Sequence, residues 1–163
     1  MESGYTIRKA VPDDMDKLIK LRIDYLTTDM GSLKAEDEAV IKSQLVNYII
    51  RNLNQTFIAY FAEVDKKVVS TAFLAISEKP ANPRFITGKT GTLLNVLTYP
   101  EYRRKGLASK VILSIIKEAR QLGVSYIELS ATEEGKPVYE KLGFSEIKSK
   151  YTAMRLQLTG IVS

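Results

Sequence analysis

A mixed α/β domain is the fold class that the sequence predicts, and three observations predict it. Strand-like runs rich in aromatic and β-branched residues alternate with amphipathic stretches of helical period. Two such runs flank the polar turn Asp65-Lys66-Lys67, which reads as an antiparallel hairpin. No repeat, low-complexity tract or linker divides the 163 residues, so residues 1–163 are expected to form one domain.

Tyr5 to Lys9 is a short strand, and Pro12-Asp13-Asp14 opens a helix with acidic residues in its first turn. Met15, Leu18, Ile19, Arg22, Ile23 and Leu26 recur at helical spacing until Gly31 ends the run. Ser32 begins a second helix, with Val40, Ile41, Leu45, Ile49 and Leu53 as its expected buried stripe. The hairpin strands are Thr56 to Val64 and Val68 to Ile76. A loop from Glu78 to Gly91 follows, and Thr92 to Thr98 is the next strand.

The clearest periodicity runs from Lys105 to Leu122. There Leu107, Ala108, Val111, Ile112, Ile115, Ile116, Ala119 and Leu122 share one face, and Gly123 ends the helix. Tyr126 to Ser130 is a strand, Lys136 to Leu142 a short helix and Gly143 a second stop. Phe144 to Ile147 and Tyr151 to Leu158 read as two final strands.

Composition limits the chemistry. With 45% hydrophobic and 26% charged residues the chain suits a globular protein. No apolar run approaches the ~18 residues that span a bilayer. The first fourteen residues lack the apolar core of a secretory signal, so a cytoplasmic location and no membrane partner are expected. With no cysteine, disulfides, thiolate nucleophiles and thiolate zinc sites are excluded; with no histidine, so are Ser-His-Asp triads and HExxH sites. No metal is expected, and catalysis must use carboxylates, Tyr, Lys, backbone dipoles or water. The net charge of +5 suits an anionic cofactor or a lysine-rich surface. No RNA-binding motif accompanies it, so nucleic acid is not an expected partner.

Arg103-Arg104-Lys105-Gly106-Leu107-Ala108 is the most informative stretch. It follows a strand and a Pro100 turn and opens the strongest helix. Free N–H groups and the positive dipole end face whatever precedes that helix, an arrangement suited to phosphate. Three basic residues at a helix start oppose the dipole unless an anion joins them. Gly88-Lys89-Thr90 imitates the end of a P-loop, but Pro83 stands where its first glycine belongs and a strand follows instead of a helix.

Downstream, after one helix and one strand, stands Tyr139-Glu140-Lys141-Leu142-Gly143-Phe144. With Arg103, Gly106 and Ala108 at the spacing Arg, two residues, Gly, one residue, Ala, it resembles the GCN5-related N-acetyltransferase superfamily. The resemblance is specific from about Thr92 to Phe144. It implies a mostly antiparallel central sheet flanked by helices, and transfer of an acetyl group from acetyl-CoA to a primary amine. By the same resemblance, the backbone of Arg103, Arg104, Lys105, Gly106, Leu107 and Ala108, with Ser109, holds the coenzyme pyrophosphate. The pantetheine arm runs beside Leu97 and Thr98 at the splayed end of their strand.

The chemistry fits. A primary amine, with lysine near ~10.4, must lose a proton before attacking a thioester. A backbone donor at Leu97 is a candidate for the developing oxyanion. Tyr139 is the expected acid for the departing thiolate. Many relatives carry a glutamate on the strand before the cradle, where this chain has Asn95, a residue fit to position an amine or water. Thr132 stands where many relatives contact the coenzyme through asparagine. Glu133, Glu134, Asp24 and Asp29 are further acidic candidates, for the base or for an acceptor pocket.

The lack of cysteine favours direct transfer without an acyl-enzyme. Two alternatives stay open: a non-catalytic acyl-CoA-binding module, and transfer to a protein N-terminus or lysine. The acceptor is expected to be a small-molecule or peptide amine. A homodimer is compatible with the family, although no residue pattern marks one.

Overall fold

The computed structural model describes residues 4–161. Strand β1 (Tyr5–Lys9) leads through a short 3-10 turn (Pro12–Asp14) into α1 (Met15–Met30), and α2 (Ala35–Asn52) follows. Then come β2 (Phe57–Val64), β3 (Lys67–Glu78) and β4 (Lys89–Thr98). A second 3-10 turn (Pro100–Tyr102) precedes α3 (Leu107–Gln121), β5 (Ile127–Glu128) and α4 (Lys136–Lys141). The sheet order is β1-β2-β3-β4-β5, antiparallel throughout except for the parallel β4–β5 pair. This mixed sheet flanked by helices is the architecture expected from the sequence.

The hairpin turn is tighter than its three polar residues suggest. Only Asp65 and Lys66 lie between the strands, both with positive φ (50° and 64°). Two left-handed central residues match the right-handed twist of the flanking strands. The middle strands are covered on both faces, which is why β2 and β3 read as nearly continuous apolar runs. On one face, Val111, Ile112 and Ile115 of α3 pack on Ile58, Val69 and Leu74. On the other, Leu18 and Leu21 of α1 and Ile49 of α2 pack on Phe57, Phe61 and Phe73.

Three expectations are corrected. Of the stripe assigned to α2, Ile49 is buried and Leu45 and Leu53 pack partly buried against the core, but Val40 in its first turns is 69% exposed. Leu122 sits at the exposed end of α3 instead of in its buried face. The two final strands do not form: residues 144–161 contain no strand, and no ladder joins them to the sheet. No helix among the described residues is long and apolar enough to cross a membrane.

Candidate active site

The site begins where the sheet comes apart. β4 pairs with β5 only at Gly91↔Ile127 and Thr92↔Glu128. A Cβ on Gly91 would meet Leu74 Cδ1 at 2.9 Å, so a larger residue at this junction would have to displace that buried leucine. From Leu93 to Thr98, β4 runs on beside β3 alone. The register with β3 slips between Thr71↔Leu97 and Phe73↔Leu94, placing an extra residue in β4. Asn95 takes up that bulge with a φ of 56°, a left-handed conformation that Asn tolerates better than most residues.

Ladder alternation decides which groups face the open edge. The Tyr99 N–H donates to Val69 O at 3.0 Å, so Tyr99 and, two residues back, Leu97 direct their amides toward β3. The Val96 carbonyl and Thr98 N–H therefore point the other way. The Thr98 carbonyl does too, and it accepts a hydrogen bond from Arg103 Nε at 3.0 Å. The edge donor expected at Leu97 thus falls one residue later, at Thr98. The Leu97 side chain is buried under α1 and α2.

The strand end leads directly into the cradle. Arg104 (φ 63°) and Gly106 (φ 72°) are both left-handed, which curls the backbone before α3 starts at Leu107. A Cβ at Gly106 would meet nothing within 4 Å, so conformation and not space selects glycine there. The first amide committed to the helix ladder is that of Lys110, which donates to Gly106 O at 3.2 Å. The six amides from Arg104 to Ser109 have no acceptor among the described residues. Leu107 is buried in the core and anchors the turn, while Ala108 and Ser109 are half-buried. The first turn of α3 holds no acid. Lys105 Nζ rests over the Tyr102 ring and Lys110 Nζ over the Tyr5 ring, at 5.5 and 5.0 Å. Arg104 has neither an ion pair nor a ring beneath it among the described residues.

Opposite stands α4. Thr132 Oγ1 accepts the Gly135 N–H at 3.0 Å and its carbonyl accepts the Lys136 N–H, so this residue fixes the turn that presents Tyr139. The Tyr139 ring meets Phe144 edge-on at 6.0 Å. Burial raises the phenol above its ordinary value and nearby Tyr25 adds to the rise, so it holds its proton at neutral pH. Tyr139, Thr132 and Glu133 line a cleft of about 370 Å³.

The helical wall on the α1 side differs from expectation. Asp24 accepts hydrogen bonds from Lys20 Nζ (2.6 Å) and Tyr99 Oη (2.5 Å). Burial would raise its carboxyl, but those two bonds prevail and hold it below the usual range, a poor setting for a base. Asp29 is exposed, as are Glu133 and Glu134. Asn95 is fully buried; its amide donates to Leu21 O at 3.3 Å and its carbonyl accepts from Arg22 Nη1 at 3.2 Å. Asn95 thereby ties the bulge to α1.

Arg22, Tyr25 and Val96 escaped the sequence reading. Arg22 is half-buried, lies 5.9 Å from the centre of the Tyr25 ring and has no carboxylate within salt-bridge distance among the described residues. Burial lowers its pKa against the opposing influence of Tyr25, Asp29 and Tyr48. One signal was available: Arg22 is a cation inside the apolar stripe of α1. Among the described residues no cluster of three or more acids that might hold a metal occurs.

Comparison with known proteins bears on the family and the fold. The sequence model of the acetyltransferase (GNAT) family matches residues 19–144. A glucosamine 6-phosphate N-acetyltransferase of Trypanosoma brucei brucei is 32% identical over 94 residues, which are 56% of this chain and 58% of the relative. The chain thus matches little more than half the length of that curated relative. A predicted acetyltransferase from Clostridium acetobutylicum, solved with acetyl-CoA, superposes with a TM-score of 0.76 at 24% identity, covering 93% of this chain and 96% of that one. Glucosamine-6-phosphate N-acetyltransferase from Arabidopsis thaliana gives 0.66 at 18% identity, over 93% and 98%. At those identities the two structures speak for the fold.

Proposed function

The chain belongs to the acetyltransferase (GNAT) family, and from that premise we propose that it moves an acetyl group from acetyl-CoA directly to a primary amine. The observation that carries this reading is continuity: an unpaired β4 edge runs straight into six unengaged amides at the start of α3. The amides from Arg104 to Ser109 take the pyrophosphate, with Arg103 pinning the turn to Thr98. The Val96 carbonyl and Thr98 amide pair with the pantetheine arm as a neighbouring strand would. Arg104 is the cation best placed for a further phosphate, since Lys105 and Lys110 lie over rings. A soluble coenzyme donor and a cysteine-free chain suit a cytoplasmic setting.

The amine sheds its proton to solvent and its lone pair attacks the thioester carbonyl. A C–N bond forms, the C–S bond breaks, the departing thiolate takes the Tyr139 proton, and the second proton that the former amine nitrogen loses restores the phenol. Thiol release measured with a panel of amines tests the reading, beside calorimetry with CoA. Turnover with at least one amine is expected. Binding without turnover on any acceptor would favour the non-catalytic module, and no binding would remove both. Turnover on peptide or protein amines with none on small-molecule amines would favour transfer to a protein.

The acceptor, on this reading, carries a negative group. Arg22 supports it: a half-buried guanidinium whose hydrogen-bond partner is a neutral amide, beside Tyr25 and at the foot of the open edge. The relatives named for glucosamine 6-phosphate act on an amine that bears phosphate. Arg22→Gln should raise KM about 10- to 100-fold for anionic amines, the scale of one charged hydrogen bond, and little for neutral ones. Equal effects on both sets would refute the assignment.

A further inference from the structure

Asn95 spends both ends of its side chain on α1, and the two contacts differ in kind. Its Nδ2 donates to the Leu21 carbonyl at 3.3 Å, and its Oδ1 accepts from Arg22 Nη1 at 3.2 Å. A peptide carbonyl can only accept and a guanidinium can only donate, so these partners fix which way round the amide lies. The backbone is less selective. The left-handed φ of 56° at the bulge suits Asn and Asp alike. Aspartate would even give Arg22 the stronger bond, an ion pair. What sets the amide apart is that it holds the guanidinium and leaves its charge uncancelled.

That charge has somewhere to act. Arg22 makes no other side-chain hydrogen bond among the described residues, and Tyr25 offers it only a ring, 5.9 Å away. No buried side-chain nitrogen or oxygen among those residues lacks a partner, so the unused Nε and Nη2 of Arg22 lie open to solvent. Asp29 attracts the guanidinium only from beyond salt-bridge distance. Asn95 itself is 1% exposed, on the face of β4 that α1 covers, so it does not meet an acceptor directly.

We propose that Asn95 determines acceptor specificity through Arg22: a buried neutral amide that aims the guanidinium at an anionic group of the acceptor and, being neutral, keeps that cation free to receive it. Asn95 is thus a positioning residue. A carboxylate in its place would take the cation for itself and remove the preference for an anion. This role rests on the anionic-acceptor reading of Arg22 and names what sets that preference.

Two substitutions at this one position separate charge from shape. Asn95→Asp keeps the shape and adds a charge, whereas Asn95→Gly keeps neutrality and the left-handed turn and loses the side chain. Thiol release is measured on primary amines paired with their phosphorylated forms, ethanolamine and phosphoethanolamine among them. Each pair gives a ratio of kcat/KM, anionic over neutral. Asn95→Asp should lower that ratio about 10- to 100-fold, as Arg22→Gln should, the scale of one charged hydrogen bond. Asn95→Gly should lower it only a few-fold. A merely structural Asn95 would slow both members of a pair alike, and the larger truncation to Gly would do more harm than Asp. Calorimetry of the same pairs on the CoA complex gives a binding ratio that needs no turnover and should follow the same order. An unchanged ratio in Asn95→Asp while Arg22→Gln lowers it would overturn the role of Asn95 alone, as would a fall in Asn95→Gly as large as in Arg22→Gln. No preference for the phosphorylated amines in the wild type, by either measurement, would overturn it together with the anionic-acceptor reading. Binding ratios in the expected order without turnover in any form would strike only the acetyl-transfer reading.

Discussion

The β1–β2 flank and the β4–β5 flank of the sheet obey opposite rules. On the first, every buried charge is answered. Arg8 donates to Asp14 at 2.8 Å and to Glu63 at 2.6 Å, and Lys17 adds a longer contact to Glu63. Glu118 of α3 accepts from Lys9 and Tyr60, whose phenol is pushed up to about 12 by burial and by that carboxylate. On the second flank the inventory stays open: six amides without acceptors, a strand edge without a neighbour and a guanidinium without a carboxylate. Every helix start leaves amides to solvent, but here they adjoin an unpaired strand edge and a left-handed turn. On the proposed reading a ligand completes this flank, while the chain completes the other by itself.

The sharpest way to break that division is one substitution on each side. Phe61 has no exposed surface and lies beneath Arg8, so Phe61→Ala should cost about 3–5 kcal/mol in denaturant unfolding. Any remaining folded protein should keep its CoA affinity. Tyr139→Phe should do the reverse: stability within about 1 kcal/mol and an unchanged Kd for CoA, with kcat down about 100-fold. If Tyr139→Phe lowers stability and CoA affinity but spares kcat, the phenol is a packing group and the division fails there.

What the sequence discloses follows the same line. The turn proposed as the cradle is contiguous, so six neighbouring residues, Arg103 to Ala108, and the helix they open suffice to suggest it. Tyr139, the proposed acid, stands in an equally short motif. The Arg22–Asn95 contact joins residues 73 apart and depends on a bulge, and no local pattern predicts which of two strand residues will be doubled. The edge donor was misplaced by one for the same reason: ladder direction alternates residue by residue, and register is a tertiary property. Periodicity also names a face without naming its cover. It was right for the core face of α3, right for Leu45, Ile49 and Leu53 of α2 but not for exposed Val40, and in the tail it named two strands that do not form.

Gly106→Ala sharpens the comparison from the open side. Nothing would touch the new Cβ, so lost packing is not at issue. The left-handed φ of 72° should still cost about 1–2 kcal/mol wherever that conformation is enforced. If CoA selects the curled turn, affinity should fall about tenfold while the unfolding midpoint of the free protein moves little, because a free turn can relax. Unchanged CoA affinity would mean that the turn does not need its left-handed form to bind.

The gentlest test uses acid on the closed side. The Arg8 guanidinium is the main reason that the Asp14 and Glu63 carboxyls lie below their ordinary range, and burial opposes it in both. A carboxyl depressed in the folded state stabilises fully above its unfolded pKa and loses that contribution as pH falls through the folded value. Wild-type stability should therefore hold from neutral pH to about 5 and decline below the ordinary carboxylate range near 4. Arg8→Met should lose about 1–3 kcal/mol at neutral pH, through unanswered charged hydrogen bonds. Its deficit should shrink at pH 3, since protonated Asp14 and Glu63 no longer need a cation. Denaturant midpoints of both proteins at pH 7 and pH 3 decide it. A deficit that stays constant would show that Arg8 acts through its packing on Phe61 and not through its charge.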